Sequence, residues 1–313
     1  MARQSGTGHS VVDLYDEASL LPSTQPPFNG IRLPDGRALA WAEYGSPRSV
    51  PCILLPDTGS SRLAPRWLLH DTALPAPVRL LAVDRPGVGA SDPVGFGGQE
   101  DPAEDLRHLV ETLAVGRIAV LGIGQGAADA LAFASRYPSM VTAVLAVSAR
   151  MRAERPNRHH PLRPSTWSTG TVPAGPVAAW LRAAGHDADL TAERTWQRAI
   201  RRMDDRAARV LGDRWRDADF REALAADLSQ SVGSWTSPAV APPQPDWERV
   251  NCVAPVQIWH GRDETGTTLG HVRAVAERHF GWQVTPVDGC SAVFGAWSEI
   301  LASAADSFRP IAA

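Results

Sequence analysis

Residues 117–138 read RIAVLGIGQGAADALAFASRYP, and this stretch decides the fold. Its first part, residues 117–123, predicts a buried β-strand, because a short apolar run is typical of a strand inside a parallel sheet. Glycines then alternate from Gly122 to Gly126 and predict a sharp turn. The segment of small residues after the turn predicts a helix. A strand that passes through a glycine turn into a helix indicates an α/β architecture.

The segments on either side repeat the alternation of strands and helices. We predict a hairpin around Gly36 and further buried strands at residues 52–56, 80–84, 141–149, 255–261 and 282–289. Helical spacing appears between them, as in residues 101–115, whose apolar positions Leu106, Leu109, Val110 and Leu113 share one face. Strands joined by helical crossovers predict a mostly parallel sheet flanked by helices.

Composition divides the chain into three parts. Residues 1–28 are rich in Ser, Thr, Gly and Pro and predict an N-terminal extension, either a short docking helix or a frayed tail. Residues 151–247 are rich in Arg, Trp, Asp and Pro and predict a helical cap inserted after the strand at 141–149. Residues 29–150 and 248–313 then form the α/β core.

Composition also excludes several functional classes. The 313 residues carry 31 basic and 34 acidic side chains, so a net charge of −3 gives no electrostatic basis for nucleic-acid binding. No apolar run reaches the roughly 20 residues of a membrane helix. The three cysteines match no metal spacing, and the complete lack of lysine excludes a lysine Schiff base. We expect a cytoplasmic protein that binds a small apolar or aromatic molecule and uses no metal or cofactor, with a homodimer as an open alternative to a monomer.

Six segments, taken in order, resemble the α/β-hydrolase superfamily. They are LPDGRALAWAEYGSP (33–47), LLPDTGSSR (54–62), LLAVDRPGVGASDP (80–93), VLGIGQGAADALAFASRYP (120–138), IWHGRDE (258–264) and VDGCSAVFG (287–295). The resemblance covers roughly residues 30 to 310 and implies the α/β-hydrolase fold, with the predicted insertion as its cap.

The same resemblance assigns a catalytic triad from which this chain departs. The family's G-x-S-x-G turn is Gly122-Ile-Gly124-Gln-Gly126 here, so the nucleophile position is Gly124 and has no side chain. The position of the family's histidine is Cys290, whose thiol is a poor general base at neutral pH. The acid position is Glu264. The resemblance therefore implies a degenerate triad, and we expect that the protein is not an ordinary Ser-His-Asp esterase.

The loop that precedes the family's oxyanion site is also changed. The resemblance implies that the backbone amides of Thr58 and Gln125 form the oxyanion donors, and it places Asp57 beside them. Asp57 is a candidate general base or, equally, a residue that caps a turn. Glu264 is a second candidate, as an acid, an orienting group or a solvated loop carboxylate.

Three functions remain open. The first is a non-hydrolytic enzyme, similar to the α/β-hydrolase-fold enzymes of bacterial natural-product biosynthesis that perform carbon–carbon coupling, cyclisation or isomerisation. Its bulky aromatic substrate would stack on tryptophans of the cap, namely Trp167, Trp180, Trp196, Trp215 and Trp235. The second is a non-catalytic binding protein, which would tolerate Asp57→Asn. The third is a hydrolase with a rearranged nucleophile at Ser60, Ser61 or Ser291, which a fluorophosphonate would label.

Overall fold

The computed structural model describes residues 28–71, 77–95, 101–151, 214–231, 245–264, 266–289, 292 and 296–309. Residues 1–27 of the predicted N-terminal extension lie outside these residues, and so does most of the predicted cap.

The described residues form one sheet of eight strands in the order β1-β2-β4-β3-β5-β6-β7-β8. The strands are β1 (Asn29–Arg32), β2 (Ala38–Tyr44), β3 (Val50–Leu55), β4 (Val78–Val83), β5 (Ile118–Ile123), β6 (Val141–Val147), β7 (Val256–Gly261) and β8 (Trp282–Val287). Only the pairings of β2 with β1 and β4 are antiparallel in this sheet, and the other pairs are parallel. The prediction of a mostly parallel sheet is confirmed.

Helices cover both faces of this sheet. They are α1 (Ala64–Leu68), α2 (Pro102–Leu113), α3 (Gly126–Arg136), α4 (Ala218–Ser231), α5 (Leu269–Ala276) and α6 (Trp297–Asp306), with short 3-10 helices at Pro138–Met140 and Arg214–Arg216. Buried residues of α2, α3 and α5 share one apolar cluster, and those of α1, α4 and α6 share the other. None of the described helices is both long and apolar enough to cross a bilayer.

The strands contribute to both clusters by alternation, as the pleat of a strand requires. In β3, for example, Ile53 and Leu55 belong to the first cluster, whereas Cys52 and Leu54 belong to the second. A strand buried on both faces needs apolar residues at every position. This requirement explains why the strands appear in the sequence as continuous apolar runs.

One strand ends earlier than the sequence predicts. The apolar run at 141–149 predicts nine residues of strand, but β6 ends at Val147. Ser148 has a φ of 48°, a left-handed conformation that no strand can continue through. The chain therefore turns at Ser148, and this turn directs the next residues towards the end of β5.

The carboxyl ends of β3, β5, β6 and β7 meet at one edge because these strands are parallel. Ligand sites of α/β sheets lie at this edge. Four segments leave the sheet there, and each begins directly after its strand: Pro56–Asp57, Gly124–Gln125, Ser148–Arg150 and Arg262–Glu264.

Candidate active site

The turn between β5 and α3 holds Gly124, the position at which the resemblance to α/β-hydrolases predicts the nucleophile. Gly124 has a φ of 56°, where glycine is far less strained than other residues. Its backbone N–H donates to the carbonyl oxygen of Val147 at 2.9 Å, which ties the turn to the end of β6. A Cβ added at Gly124 would lie 2.6 Å from Oδ2 of Asp57 and closer still to Cγ and Oδ1. The carboxylate of Asp57 therefore occupies the space of the missing side chain.

The Asp57 carboxylate also takes both of the predicted oxyanion donors. Its Oδ1 accepts hydrogen bonds from the backbone N–H groups of Thr58 at 2.8 Å and Gln125 at 2.9 Å. The structure thus brings Asp57, Thr58 and Gln125 together at the turn. In an oxyanion site, such amides donate to the negative oxygen that forms during the reaction. Here the amides of Thr58 and Gln125 donate to the Asp57 carboxylate instead.

Arg150 completes this cluster, and the sequence interpretation missed it. Its guanidinium Nη2 donates to Oδ2 of Asp57, and each side chain is 26% exposed. One signal could have found Arg150: it follows the end of β6 by three residues, at the same sheet edge as Asp57. The charge-assisted contact neutralises the carboxylate where solvent and ligands can reach it.

A second Arg–Asp pair lies next to the first. Arg85 contacts the Asp129 carboxylate on α3 and also donates from Nε to the carbonyl oxygen of Pro56 at 3.4 Å. Burial raises the pKa of Asp129, Arg85 opposes this shift, and the negative charge of Asp57 adds to it. Arg85 therefore links α3 to the residue that precedes Asp57.

Glu264 binds the polypeptide around it and is not a solvated loop carboxylate. Its Oε1 accepts hydrogen bonds from Ser148 Oγ at 2.6 Å and from the backbone N–H of Gly261 at 2.9 Å. The backbone N–H of Ala292 lies 3.2 Å from the same oxygen and 3.1 Å from Ser148 Oγ. Glu264 thus fixes the end of β6 and the loop after β8, and Ser148 is a second residue that the sequence interpretation missed.

A histidine does lie near Glu264, but it is inside the protein. His260 is 0% exposed, and its Nδ1 is 3.6 Å from Oε2 of Glu264. Nε2 of His260 is 2.8 Å from the carbonyl oxygen of Thr267, so Nε2 carries a proton and donates it. A fully buried imidazole cannot contact a ligand that enters from solvent.

The two described candidates for a rearranged nucleophile are both engaged. Ser60 Oγ and Ser61 Oγ donate to the carboxylate of Asp227 on α4, the latter at 2.6 Å. Ser60 is 7% exposed and Ser61 is 0% exposed. Burial raises the pKa of Asp227 to about 6, although these hydrogen bonds act in the opposite direction. Neither hydroxyl is presented to an incoming substrate.

The remaining predicted site residues lie outside the described residues. These are Cys290, Ser291, Trp167, Trp180, Trp196, Trp235 and the side chain of Trp215. Within the described part of the chain, no three His, Cys, Asp or Glu side chains are grouped closely enough to hold a metal ion.

Comparison with known proteins extends these observations. A family model described as alpha/beta hydrolase fold matches residues 71–282. Among solved structures, an esterase from Rhodococcus sp. ECU1013 is 18% identical, with a TM-score of 0.58 over 88% of this chain and 95% of its own. An enol-lactonase from Burkholderia xenovorans LB400 is 15% identical, with a TM-score of 0.55 over 87% and 97%. A thioesterase domain from the curacin biosynthetic pathway is 14% identical, with a TM-score of 0.56 over 90% and 98%. No curated protein matches the chain significantly.

Proposed function

Because this chain belongs to the α/β-hydrolase fold family, we propose that it uses the family's site for a reaction other than hydrolysis. The reaction is a base-assisted carbon–carbon coupling, cyclisation or isomerisation of a bulky apolar or polycyclic aromatic intermediate of secondary metabolism. One observation carries the proposal: the carboxylate of Asp57 fills the space where a nucleophile would stand, beside Gly124.

The same carboxylate makes acyl transfer unfavourable. A tetrahedral intermediate places a negative oxygen on the oxyanion donors, and here Asp57 already holds the amides of Thr58 and Gln125. A second anion at that point would meet a carboxylate at close range. With no side chain at Gly124, no acyl-enzyme can form there either.

In a proton transfer to Asp57, the two amides and Arg150 stabilise the anion that forms on the substrate. The C–H or O–H bond of the substrate breaks, its proton moves to Asp57 Oδ2, and the electron pair stays on the substrate as an enolate or phenolate. Arg150 and the two amides, which hold the carboxylate in the free protein, then face a neutral acid and a new oxyanion. The total charge of the site is unchanged, so the donors can pass from one anion to the other.

Glu264 serves this reaction as an orienting group. It binds Ser148, two residues before Arg150, and thereby fixes the turn that delivers the guanidinium to Asp57. The proposed substrate class rests on the aromatic residues of the predicted cap, because tryptophans stack well on flat aromatic ligands.

The test uses a generic probe of carboxylate bases, 5-nitrobenzisoxazole. A base removes its ring proton, the electron pair forms a nitrile and the N–O bond breaks, which releases a coloured phenolate. We expect turnover by the native protein and a loss of about 100-fold or more in Asp57→Asn, which retains an oxygen acceptor for the amides but is not a carboxylate base.

The matched control is Asp105→Asn. Asp105 is a buried carboxylate that also pairs with an arginine, Arg37, but it lies on α2 and outside the Asp57 cluster. Turnover should be retained in this variant. Equal turnover by the native protein and Asp57→Asn, or hydrolysis of p-nitrophenyl acetate that depends on a serine, would contradict the proposal.

A non-catalytic binding protein is the second candidate, favoured by the complete pairing of the Asp57 carboxylate. The two functions differ in their response to Asp57→Asn. A binding protein holds anthrone, a tricyclic aromatic probe, with the same affinity whether residue 57 is Asp or Asn. It does not accelerate the spontaneous exchange of the acidic methylene protons of anthrone for deuterium. An enzyme of the proposed type exchanges these protons, and the exchange is lost in the variant.

A further inference from the structure

Helix α4 (Ala218–Ser231) packs against the loop that carries Asp57. Its residues Phe220, Leu224 and Leu228 are buried in the apolar cluster that also contains Trp67 of α1. The rings of Phe220 and Trp67 meet edge to face, with centroids 6.4 Å apart. The helix is therefore fixed to the core by apolar packing as well as by the polar contacts described next.

Asp227 makes the first polar contact, and it is wholly buried. Its Oδ1 accepts from the backbone N–H of Ser61 at 2.7 Å and from Ser61 Oγ at 2.6 Å. Its Oδ2 accepts from Ser60 Oγ and from Trp67 Nε1, the latter at 2.8 Å. These four donors come from one short segment, residues 60–67, and all of them converge on this carboxylate.

A short turn connects these serines to Asp57. The backbone N–H of Ser60 donates to the carbonyl oxygen of Asp57 at 3.1 Å. The chain from Asp57 to Ser61 is thus held at one end by the elbow and Arg150, and at the other end by Asp227. This hydrogen bond couples the position of Ser60 to the backbone of Asp57.

Gln230 supplies a second polar contact three residues further along α4. Its side-chain Oε1 accepts from Arg62 Nη1 at 3.3 Å, and its carbonyl oxygen accepts from the backbone N–H of Gly89 at 3.0 Å. Arg62 in turn pairs with Asp84 at 2.6 Å, inside the protein. The helix therefore contacts the segments that leave both β3 and β4.

We propose that Asp227 is a positioning residue, which places the Asp57 carboxylate beside Gly124 by fixing Ser60 and Ser61, and releases it when Asp227 is protonated. The kinetic part of this inference rests on the proposed function. The geometric part does not, because the hydrogen bonds of Asp57 can be observed without any reaction.

Protonation changes the network because it converts an acceptor into a donor. A proton on Oδ2 must itself be donated, so the Ser60 hydroxyl has to turn and accept it, and the hydrogen bond from Trp67 Nε1 loses its charged acceptor and weakens. Burial raises the pKa of Asp227 to about 6, so this change occurs in mildly acidic solution.

Other titratable or charged groups face this region and must be separated from Asp227. Four of them lie around the 60–62 segment, and the histidine contacts α4 near its start: Tyr44, Arg62, Arg66, Asp84 and His70. Of these residue types, histidine is the one that ordinarily changes charge between pH 5 and 8. The variant His70→Gln removes this ambiguity.

Amide and indole NMR signals test the inference directly. The indole N–H of Trp67, assigned with Trp67→Phe, reports the protonation of Asp227. The amide N–H signals of Thr58 and Gln125 report the Asp57 carboxylate, to which they donate. In the native protein and in His70→Gln, we expect all three signals to shift with one midpoint, near pH 6.

In Asp227→Asn the shared midpoint should vanish, whereas in the matched control Asp105→Asn it should persist. The rate with 5-nitrobenzisoxazole should fall about 10- to 100-fold in Asp227→Asn with little change in KM, as expected when a catalytic group is misplaced. Should Asp227→Asn fail to fold, the titration of the native protein still decides the question.

Two outcomes separate this inference from the proposed function. A pH-dependent shift of the Trp67 indole signal without a shift of the Thr58 and Gln125 amide signals overturns the positioning role of Asp227, whatever the activity. A shared midpoint in a protein that never converts the probe leaves the positioning role intact and overturns the proposed function.

Discussion

At the scale of single residues, the site is defined by how the Asp57 carboxylate packs against Gly124. Gly124 has no side chain, and the carboxylate of Asp57 from the neighbouring loop occupies the space that a side chain there would take. This arrangement keeps the turn close-packed, because an empty space there would forfeit contacts on every side. It also explains why glycine is needed at this position for more than its backbone conformation.

A substitution of Gly124 tests this arrangement. Gly124→Ala should lower the free energy of unfolding by about 3 kcal/mol or more, because it adds a methyl group onto the Asp57 carboxylate and strains a left-handed backbone. The control is Gly116→Ala, which has a similar φ of 71° but open space around its Cβ. It should cost only about 1 kcal/mol, measured by urea unfolding.

The double variant Asp57→Ala/Gly124→Ala completes the comparison. Removal of the carboxylate makes room for the new methyl group, so the added cost of Gly124→Ala should fall to that of Gly116→Ala. A cost of Gly124→Ala that is the same with and without Asp57 would show that the two residues do not compete for space.

Some residues of the site could be predicted from sequence and others could not. Asp57, Thr58 and Gln125 lie directly after strands that are evident as apolar runs, so the rule that parallel strands end at one edge brings them together. Asp227 is separated from Ser61 by 166 residues, and only the docking of α4 makes them neighbours. No local pattern encodes such a contact.

At the scale of the elements, the sequence predicts the strands better than their ends. Five of the apolar runs correspond to β3, β4, β5, β7 and β8 within two residues, because burial on both faces leaves no room for polar positions. The end of β6 at Val147 depends instead on the positive φ of Ser148, which cannot be predicted from a serine in the sequence.

Helix α5 begins after an ordinary N-cap, in which the Thr268 hydroxyl accepts a hydrogen bond from the backbone N–H of His271.

Helix α3 provides the element-scale prediction. Phe133 lies on α3 with no exposed surface, within the cluster formed by α2, α3 and α5. Phe133→Ala should therefore lower the free energy of unfolding by about 3–5 kcal/mol, the usual cost of a large cavity. Phe280→Ala is the matched control, because this ring is fully exposed, and the change should stay within about 0.5 kcal/mol. A similar loss in both variants would show that α3 does not pack as described.

At the scale of the whole molecule, buried carboxyl groups shape the response to pH. Burial raises the pKa of Asp84, Asp105, Asp129 and Asp227. A carboxyl group with a raised pKa binds its proton more tightly in the folded state. Its contribution to stability is therefore complete below its ordinary pKa and is lost as the pH rises through its folded-state pKa.

Asp227 gives this effect a defined range, since its pKa moves from 3.8 to about 6. Between pH 5 and 7 its contribution to the free energy of unfolding should fall by about 1 kcal/mol. The measurement is urea unfolding of the native protein and Asp227→Asn across this range. The difference between the two proteins should change with pH by that amount and in that direction. A difference that grows in favour of the native protein as the pH rises would contradict the assignment.

The close fit at Gly124 also restricts the evolutionary routes open to this chain. A serine introduced at Gly124 while Asp57 is present would displace the carboxylate, since its Cβ would lie 2.6 Å from Oδ2 of Asp57 and closer still to Cγ and Oδ1. Replacement of Asp57 by a smaller residue makes room for the serine, but that step alone leaves Arg150 without its counter-ion and supplies no nucleophile. Under the proposed function, a chain with only the Asp57 substitution has neither the carboxylate base nor a nucleophile, so neither substitution is useful without the other.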